Sequence, residues 1–304
     1  MNPGVLILAG PTASGKTELA LALAEAFDAE IIGADSRQIY RGMTIGTAAP
    51  TPEQRARVPH HLVEFLDPFE RYSAARFAVD ALAELDQMAR RGKRAIVVGG
   101  TGFYIRTLAG DVTLAAGHDE SVRDRLALEA RIHPRDVLHG WLASLDPARA
   151  AAIDPADPYR VSRALEVALS GRARETAVEP RVLGTLKNRG IPYKKLYLTV
   201  ERDELERRID ARIERMLATG LLEEAERIGP DAVAADAVGY REALAYLRGR
   251  MTSAELRDRL ARTTRRYAKR QATWFRTEPD LLALPAADAR RAAVAAAREI
   301  PGWA

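Results

Sequence analysis

Gly10-Pro-Thr-Ala-Ser-Gly-Lys-Thr17 follows the pattern G-x-x-x-x-G-K-[ST] close to the start of the chain. The apolar stretch before it, Val5–Ala9, is predicted as a buried strand, and residues 18–27 after it as a helix with one apolar side. A glycine loop between strand and helix wraps backbone N–H groups around a phosphate at the helix N-terminus. The stretch therefore predicts a di- or triphosphate site, the alternative being a glycine-rich turn that binds nothing.

Within this motif, two side chains have distinct predicted roles. We expect the Lys16 ammonium to reach the terminal phosphate and the Thr17 hydroxyl to bind Mg²⁺. The remaining members would surround the phosphates mainly with backbone N–H groups, so the predicted diphosphate-binding residues of the motif are Gly10, Pro11, Thr12, Ala13, Ser14, Gly15, Lys16 and Thr17.

The acidic residue that ends a second buried strand in an ordinary P-loop NTPase is missing here. The best candidate strand, residues 94–98, continues into Gly99-Gly-Thr-Gly102 without a carboxylate. Three glycines around Thr101 indicate either a second close approach of backbone to a ligand or a tight strand-to-helix turn.

A carboxylate appears instead at Asp35, after the predicted strand that begins at Glu30. Open α/β sheets place their ligands at the carboxyl ends of their strands. This position favours a chemical role for Asp35, and the alternative is a structural N-cap or Asx-turn.

Arg212 is the second unusual charged residue. On the predicted helix 203–219 it falls inside the apolar stripe, three residues after Ile209 and four before Met216, whereas Arg207, Arg208 and Arg215 lie outside that stripe. A guanidinium directed inward needs an anion or a hydrogen-bonding partner. A structural ion pair and a pyrophosphate contact both satisfy that need.

The net charge of +4 is unevenly distributed. Residues 252–276 carry +6, so the rest of the chain sums to −2. Thr252 and Glu255 form a capping box at the start of this segment, and apolar residues recur at helical spacing. The segment therefore predicts a long helix with a basic flank, which favours an anionic polymer over a merely solvated face. Its basic residues are Arg257, Arg259, Arg262, Arg265, Arg266, Lys269, Arg270 and Arg276.

Composition limits the remaining possibilities. The absence of cysteine excludes disulfides, thiolate metal sites and thiol catalysis. No apolar run reaches membrane-spanning length, and the first strand begins without a signal peptide, so we expect a soluble cytoplasmic enzyme. The five histidines fit no metal motif, and the pair His60-His61 is interpreted as the start of a strand.

The predicted fold class is α/β, a P-loop NTPase-like core in which helices flank a parallel sheet, with an inserted all-helical lobe. Residues 1–109 form the first part of the core, 110–145 the helical insertion and 146–304 the rest of the core with the C-terminal helices. In the last part we predict a helix at 158–169, a loop at 171–190, a strand at 195–200 and a closing helix at 286–299.

These motifs together resemble one family, the bacterial tRNA dimethylallyltransferases (isopentenyltransferases). The similarity runs in family order through most of the chain, and the ordered set is more specific than any motif beside the first. The matching stretches are Gly-Pro-Thr-Ala-Ser-Gly-Lys-Thr at 10–17, Ala-Asp-Ser-Arg-Gln-Ile-Tyr-Arg-Gly-Met at 34–43, Ile-Gly-Thr-Ala-Ala-Pro at 45–50, Val-Gly-Gly-Thr-Gly-Phe-Tyr at 98–104, Asp-Pro-Tyr-Arg-Val-Ser-Arg-Ala-Leu-Glu-Val at 157–167, Gly-Tyr-Arg-Glu at 239–242 and Thr-Arg-Arg-Tyr-Ala-Lys-Arg-Gln-Ala-Thr-Trp-Phe-Arg at 264–276.

The resemblance implies transfer of a dimethylallyl group from dimethylallyl diphosphate to N6 of the adenosine just 3′ of the tRNA anticodon. It implies that the first motif holds a prenyl diphosphate instead of ATP, which accounts for the missing acidic residue. Asp35 matches the family's general base, and Thr101 would help to shape the reaction centre. Lys16, Arg212 and Mg²⁺ on Thr17 would stabilise the leaving pyrophosphate.

The resemblance also implies contacts with the tRNA anticodon stem-loop, whose stem the helical insertion would grip. It implies no protein partner, and nothing in the sequence indicates more than a monomer. Two departures from the family pattern, Ala49 in place of lysine and Tyr159 in place of glutamine, bear on RNA contacts. The implied tRNA-binding residues are Asp35, Ser36, Arg37, Gln38, Thr101, Arg123, Tyr159, Arg160, Val161, Ser162 and Arg163.

Two other classes of function compete with this one. A small-molecule kinase would use the same glycine loop with ATP, and the missing acidic strand end argues against it. A non-catalytic RNA-binding protein that retains only a relict glycine loop would not need Asp35 or Arg212.

Overall fold

The computed structural model of the protein describes residues 3–112, 114, 120–169 and 184–304. The chain divides into two compact units, the first formed by residues 1–111 and 184–304 and the second by residues 112–183. Among the helices described, none has the combination of length and apolar composition that a membrane crossing requires.

A six-stranded parallel sheet forms the centre of the first unit, with the strand order β3-β2-β4-β1-β5-β6. The strands β1 and β4 pair from Val5↔Ala95 to Ala9↔Gly99, and β2 and β4 from Ala29↔Arg94 to Gly33↔Val98. Because every pairing is parallel, the chain leaves β1, β2 and β4 at the same edge. The strands are β1 Val5–Ala9, β2 Ala29–Gly33, β3 His60–His61, β4 Arg94–Gly99, β5 Tyr193–Thr199 and β6 Leu281–Pro285.

Helices cover both faces of this sheet, as the nearly unbroken apolar strands require. Leu6 and Leu8 of β1 point into one core with α1 and α14, and Ile7 points into the other with α4 and α5. The helices of the first unit are α1 Lys16–Phe27, α2 Thr44–Thr47, α3 Pro52–Arg57, α4 Ala74–Arg90, α5 Gly102–Ala109, α10 Arg202–Ala218, α11 Leu221–Ile228, α12 Tyr240–Leu247, α13 Ser253–Phe275 and α14 Ala289–Arg298.

A third core joins α10 to α13 and holds the segment that follows β2. Ile39, Tyr40 and Met43 of that segment are buried against Ile209 of α10 and Leu260 of α13. The long helix α13 begins at the predicted capping box, where the Thr252 hydroxyl accepts a hydrogen bond from the backbone N–H of Glu255.

The second unit is helical in its described part, and it contains α6 Glu120–Ile132, α7 Arg135–Leu145, α8 Pro147–Ala151 and α9 Pro158–Leu169. Leu126 of α6, Leu138 and Leu142 of α7 and Leu165 of α9 share one small core. Because α9 packs into this core, it belongs with α6 and α7. The predicted boundary at residue 145 instead places α9 in the remainder of the main core.

The predicted parallel α/β core and helical lobe are confirmed, and so are the strands at β1 and β4, the start of β3 at His60 and the helices α1 and α9. The strand β6 is not among the predicted elements, because its mostly exposed residues show no buried alternation. The closing helix starts three residues later than predicted because the Ala286 N–H extends the β6 pairing to Thr199 O at 2.9 Å. The predicted loop 171–190 lies outside the described residues up to 183 and forms a turn after it.

Candidate active site

Three loops leave neighbouring strands at the carboxyl edge of the sheet. Residues 10–17, which are predicted to bind phosphates and are called the phosphate-binding loop for that reason, follow β1. The glycine turn (residues 99–102) follows β4, and the Asp35 loop (residues 34–38) follows β2. In the strand order the glycine turn lies between the other two. Parallel sheets collect ligand-binding groups at this edge, so topology alone brings Lys16, Thr101 and Asp35 into one region.

The phosphate-binding loop is bent by two residues in the left-handed region, Ala13 with φ 63° and Gly15 with φ 94°. Lys16 Nζ donates to Pro11 O at 2.7 Å and so spans the loop. The Ser14 hydroxyl is buried and has no hydrogen-bond partner among the described residues. A buried hydroxyl without a partner is costly, and a phosphate oxygen would satisfy it.

Burial, above all, lowers the pKa of Lys16 from 10.5 to about 8; the Arg212 guanidinium lowers it further, while the Asp35 carboxylate opposes both. Burial likewise lowers the pKa of Arg212, again against the attraction of Asp35. Two cations and one carboxylate therefore occupy a poorly solvated region. Such a site favours an anionic ligand that would bring the missing negative charge.

Arg212 has no carboxylate within ion-pair distance in the described part of the chain, so the ion-pair alternative raised by the sequence is not found. Its Nη2 donates instead to Thr47 O at 3.2 Å. The segment that carries this carbonyl is held by Glu224, whose carboxylate accepts the N–H of Ile45 at 2.9 Å and of Gly46 at 2.8 Å. The guanidinium is thus positioned by a backbone acceptor and keeps donors for a ligand.

Asp35 forms the structural turn that is one of its two predicted roles. Its Oδ1 accepts the backbone N–H of Arg37 at 2.9 Å, which is an Asx-turn. Its Oδ2 has no hydrogen-bond partner among the residues described. Burial and the nearby Asp35 carboxylate raise the pKa of the Tyr267 phenol, so the neutral phenol of α13 also lies in this region.

Thr101 connects the glycine turn to the Asp35 loop. Its Oγ1 accepts the Ser36 N–H at 3.0 Å, and its own N–H donates to Ala34 O at 3.2 Å. The flanking glycines are required by protein contacts: a Cβ at Gly99 would lie 2.0 Å from Ala34 O, and one at Gly102 would lie 2.1 Å from the Trp274 ring. The close approach of backbone at this turn is therefore to other parts of the protein.

The remaining predicted RNA contacts of the first unit are already engaged with the protein. Arg37 Nη1 pairs with Asp236 at 2.6 Å, and the Gln38 amide donates to Thr47 O and Ala48 O at 3.2 and 3.0 Å. Gln38 therefore shares the acceptor of Arg212. Ala49, one of the two departures from the family pattern, is buried in the same segment.

The other predicted RNA contacts lie in the second unit. Arg123 is on α6, and residues 159–163 form the first turns of α9, where the Tyr159 side chain is 70% exposed and Val161 is buried. Arg160 pairs with Asp157, directly before α9, at 3.4 Å, and Arg163 pairs with Glu166 of the same helix at 2.7 Å. Tyr159 thus offers a large aromatic surface to solvent.

Sequence reasoning missed three residues that support these loops. Arg208, assigned to the outside of its helix, donates through Nη1 to Ser14 O at 3.2 Å. Glu224 holds the segment that carries Thr47, as described above. Gln271 is 95% buried and contacts both the phosphate-binding loop and the glycine turn. The last had a detectable signal, since an uncharged polar residue stands four positions before buried Phe275 on the apolar side of α13.

The basic side chains of α13 include two sets with different surroundings. Arg257 and Arg265 pair with Glu214 and Asp210 of α10 at 3.1 and 2.6 Å, so these two stabilise the helix packing. A separate line of exposed side chains at helical spacing has no ion pair in the part of the chain that the structure describes, and we name it the basic stripe: Arg259, Arg262, Arg266, Lys269 and Arg276.

Within residues 3–112, 114, 120–169 and 184–304, no group of three or more histidine, aspartate or glutamate side chains could hold a metal ion. The Thr17 hydroxyl, in the first turn of α1, offers one oxygen ligand. Mg²⁺ commonly takes one or two protein ligands and completes its shell with substrate phosphates and water. The residues present therefore fit a metal ion that arrives with a diphosphate.

Two family models match the chain. One described as IPP transferase covers residues 38–278, and one described as isopentenyl transferase covers residues 3–60. A tRNA dimethylallyltransferase of Geobacter sulfurreducens is 46% identical over 283 residues, or 90% of this chain and 89% of that protein. One from an Exiguobacterium species is 41% identical over 281 residues, or 91% and 88%.

Solved structures are similar to this chain as well. The tRNA isopentenylpyrophosphate transferase of Bacillus halodurans is 37% identical with a TM-score of 0.66, and the match covers 93% of this chain and 90% of that one. A eukaryotic dimethylallyltransferase described as acting on tRNA is 27% identical with a TM-score of 0.74, and the match covers 96% and 77%.

The lowered pKa of Lys16 predicts a pH dependence for diphosphate binding. A bound diphosphate would raise the pKa of Lys16, so affinity is complete below the free value of about 8 and is lost as pH rises through it. We expect the Kd for inorganic pyrophosphate, measured by calorimetry, to increase about fivefold to tenfold between about pH 7.5 and about pH 9. Lys16→Arg, which does not titrate in this range, should remove most of the increase; an equal increase in that variant would contradict the assignment.

Proposed function

The chain belongs to the tRNA dimethylallyltransferase family, and we propose that it transfers a dimethylallyl group from dimethylallyl diphosphate to N6 of the adenosine directly 3′ of the tRNA anticodon. The products are N6-isopentenyladenosine and pyrophosphate. The observation that carries the proposal is the convergence of the phosphate-binding loop, Asp35 and Thr101 on one sheet edge, beside an Arg212 that pairs with no carboxylate of the described chain.

The Asp35 carboxylate is proposed as the general base. The exocyclic amine of adenine is a poor nucleophile because its lone pair is delocalised into the ring, so proton removal as the new bond forms speeds the reaction. The Asx-turn to Arg37 fixes Oδ1 and thereby the rotation of the carboxylate, which leaves Oδ2 to accept the N6 proton. Thr101, anchored to Ser36, is proposed to orient the adenine beside the Asp35 carboxylate.

The leaving pyrophosphate is proposed to bind to the loop N–H groups, the Ser14 hydroxyl and the side chains of Lys16 and Arg212. Donors that are already in place when negative charge develops stabilise the transition state more than the ground state. Mg²⁺ on the Thr17 hydroxyl would neutralise part of the diphosphate charge. Arg208 supports this arrangement from outside by holding the Ser14 carbonyl.

The anticodon stem-loop of tRNA is the proposed nucleic-acid partner, and we expect the enzyme in the cytoplasm, where tRNA is found. Its target base must leave the stack of the anticodon loop to reach Asp35. Single-stranded bases are commonly held by stacking on aromatic side chains, a role open to the exposed Tyr159. The proposed contacts in the second unit also include Arg123, Arg160, Ser162 and Arg163.

A direct test offers the protein unmodified tRNA with labelled dimethylallyl diphosphate or, in parallel, with γ-labelled ATP. We expect label to enter tRNA only from the prenyl donor, at the adenosine next to the anticodon, as located by nuclease digestion and mass spectrometry. EDTA should suppress the transfer by removing the metal. Label transferred from ATP to any acceptor would instead support a kinase, and binding of tRNA without transfer would support a binding protein.

Asp35→Asn isolates the proton-transfer role. The amide keeps the Asx-turn acceptor but cannot take the N6 proton, so we expect the single-turnover transfer rate to fall by at least ~10². The affinities for tRNA and dimethylallyl diphosphate should stay within about threefold of wild type.

Asp67→Asn is the matched control for this variant, because Asp67 Oδ1 accepts the Phe69 N–H at 2.9 Å in the same kind of turn, but in an exposed loop. Its transfer rate should equal that of wild type. A near-wild-type rate in Asp35→Asn would show that another group removes the proton.

The basic stripe is expected to contact RNA phosphates. Reversing Arg266 and Lys269 to glutamate should weaken tRNA binding and make the slope of log K against log salt shallower by about 1.4 to 1.8, since each of the two lost phosphate contacts removes ~0.7–0.9. Fluorescence anisotropy at several salt concentrations measures this slope. Reversal of exposed Arg290 and Arg291 on α14 makes the same change in net charge and should leave the slope unchanged. Equal slopes for all three proteins would show that the basic stripe does not contact RNA.

A further inference from the structure

Gln271 is the side chain that connects the phosphate-binding loop to the glycine turn. It lies on α13 and is 95% buried. Its Oε1 accepts the Thr12 N–H at 2.8 Å, and its Nε2 donates to Gly100 O at 3.1 Å. The two partners are 88 residues apart in the chain and follow different strands, so one amide spans the gap between the loops after β1 and β4.

The orientation of this amide is fixed by its two partners. Rotation by half a turn would place an NH₂ group against the Thr12 N–H and an oxygen against Gly100 O, and both hydrogen bonds would be lost. The amide also packs directly on the backbone of the turn, because a Cβ at residue 100 would lie 2.1 Å from Nε2. Gly100 is therefore needed for Gln271 to reach this position.

Other links between the two loops are limited. The ladder between β1 and β4 ends at the pair Ala9↔Gly99. Beyond that pair, among the residues that the structure describes, Gln271 alone hydrogen-bonds to both the phosphate-binding loop and the glycine turn. The turn is joined in its own right to the Asp35 loop, through Thr101 and its bonds to Ser36 and Ala34.

The hydrogen bonds of Gln271 and Thr101 link the parts of the site that would hold the two substrates. The phosphate-binding loop is the part that would fix the diphosphate, and Thr101 and Asp35 are the parts that would fix the nucleophile. Beyond the end of the sheet, Gln271 sets the distance between the phosphate-binding loop and the glycine turn, and Thr101 sets the distance between the glycine turn and the Asp35 loop. A displacement of about 1 Å between reacting groups is enough to slow a reaction ~10²-fold.

We propose that Gln271 is a positioning residue for the transfer reaction, which sets the distance between the bound prenyl diphosphate and the amine that attacks it. This inference rests on the proposed function. Because the Thr12 N–H is committed to Gln271, it does not point at the phosphates while this bond is made. Gln271 therefore acts on the alignment of the two substrates and contributes little to the binding of either.

The test is a kinetic comparison of wild type with Gln271→Met, which keeps the length and burial of the side chain but makes neither hydrogen bond. We expect the single-turnover rate at saturating substrates to fall about 10- to 100-fold. The Kd values for dimethylallyl diphosphate and tRNA should stay within about threefold. Gln271→Asn, whose amide is withdrawn by one methylene, should show the same division between rate and affinity.

Leu256→Ala is the matched control for lost stability. Leu256 is buried on the same helix, 15 residues earlier and so about 22 Å away along its axis, and it takes no part in the site. A comparable decrease in Tm with an unchanged transfer rate is expected. An equal loss of rate in Leu256→Ala would show that Gln271 only stabilises α13.

The other possible outcomes also test the positioning role of Gln271. A wild-type rate in Gln271→Met, or a Kd for either substrate raised as much as the rate falls, would overturn the positioning role. So would the failure of both Gln271 variants to fold, judged by circular dichroism. Each of these results leaves the proposed function intact, because that function stands or falls with label transfer by the wild-type protein assayed alongside.

Discussion

The carbonyl oxygen of Ala34 occupies the space that a side chain at residue 99 would need, since a Cβ there would lie 2.0 Å away. This contact is the constraint on which the site depends. With glycine at 99, the same carbonyl can also accept the Thr101 N–H, and the residue after Ala34 is the proposed base, Asp35. The spacing between Asp35 and Thr101 is therefore set by backbone contacts, which are stiffer than contacts between long side chains.

Near these backbone contacts lie the positively charged side chains of Lys16 and Arg212, whose charge the protein's own carboxylates leave largely uncompensated. The shift of the Lys16 pKa from 10.5 to about 8 corresponds to a cost on the order of 3 kcal/mol for keeping its charge in the folded protein. Arg212 adds to that cost because burial opposes its charge too, and its hydrogen-bonding partner is the neutral Thr47 carbonyl. A diphosphate recovers the lost solvation, so binding energy and electrostatic preorganisation have the same origin.

The sequence predicts the first two strands, their loops and the grouping of Lys16, Asp35 and Thr101, because a parallel sheet fixes which strand ends share an edge. Arg212 was detectable because a charge inside an apolar stripe breaks the helical pattern. Arg208 was not: it stands outside that stripe and reaches the phosphate-binding loop through the length of its side chain, which periodicity does not encode. The edge strand β6 was missed for a related reason, since its exposed residues lack the alternation that marks a half-buried strand.

The polar and charged side chains of α13 have different structural roles, which a count of its charges does not distinguish. Arg265 turns toward α10 and pairs with Asp210, the next residue Arg266 faces solvent, and Gln271 reaches the loops at the sheet edge. Successive residues on a helix are rotated by 100°, so three tasks are separated around one axis. Because the helix is a single rigid element, the basic stripe on its outer side and the loops held on its inner side share one support. If RNA binds to the stripe as proposed, the placement of the RNA and the alignment of the diphosphate depend on the same docking of α13.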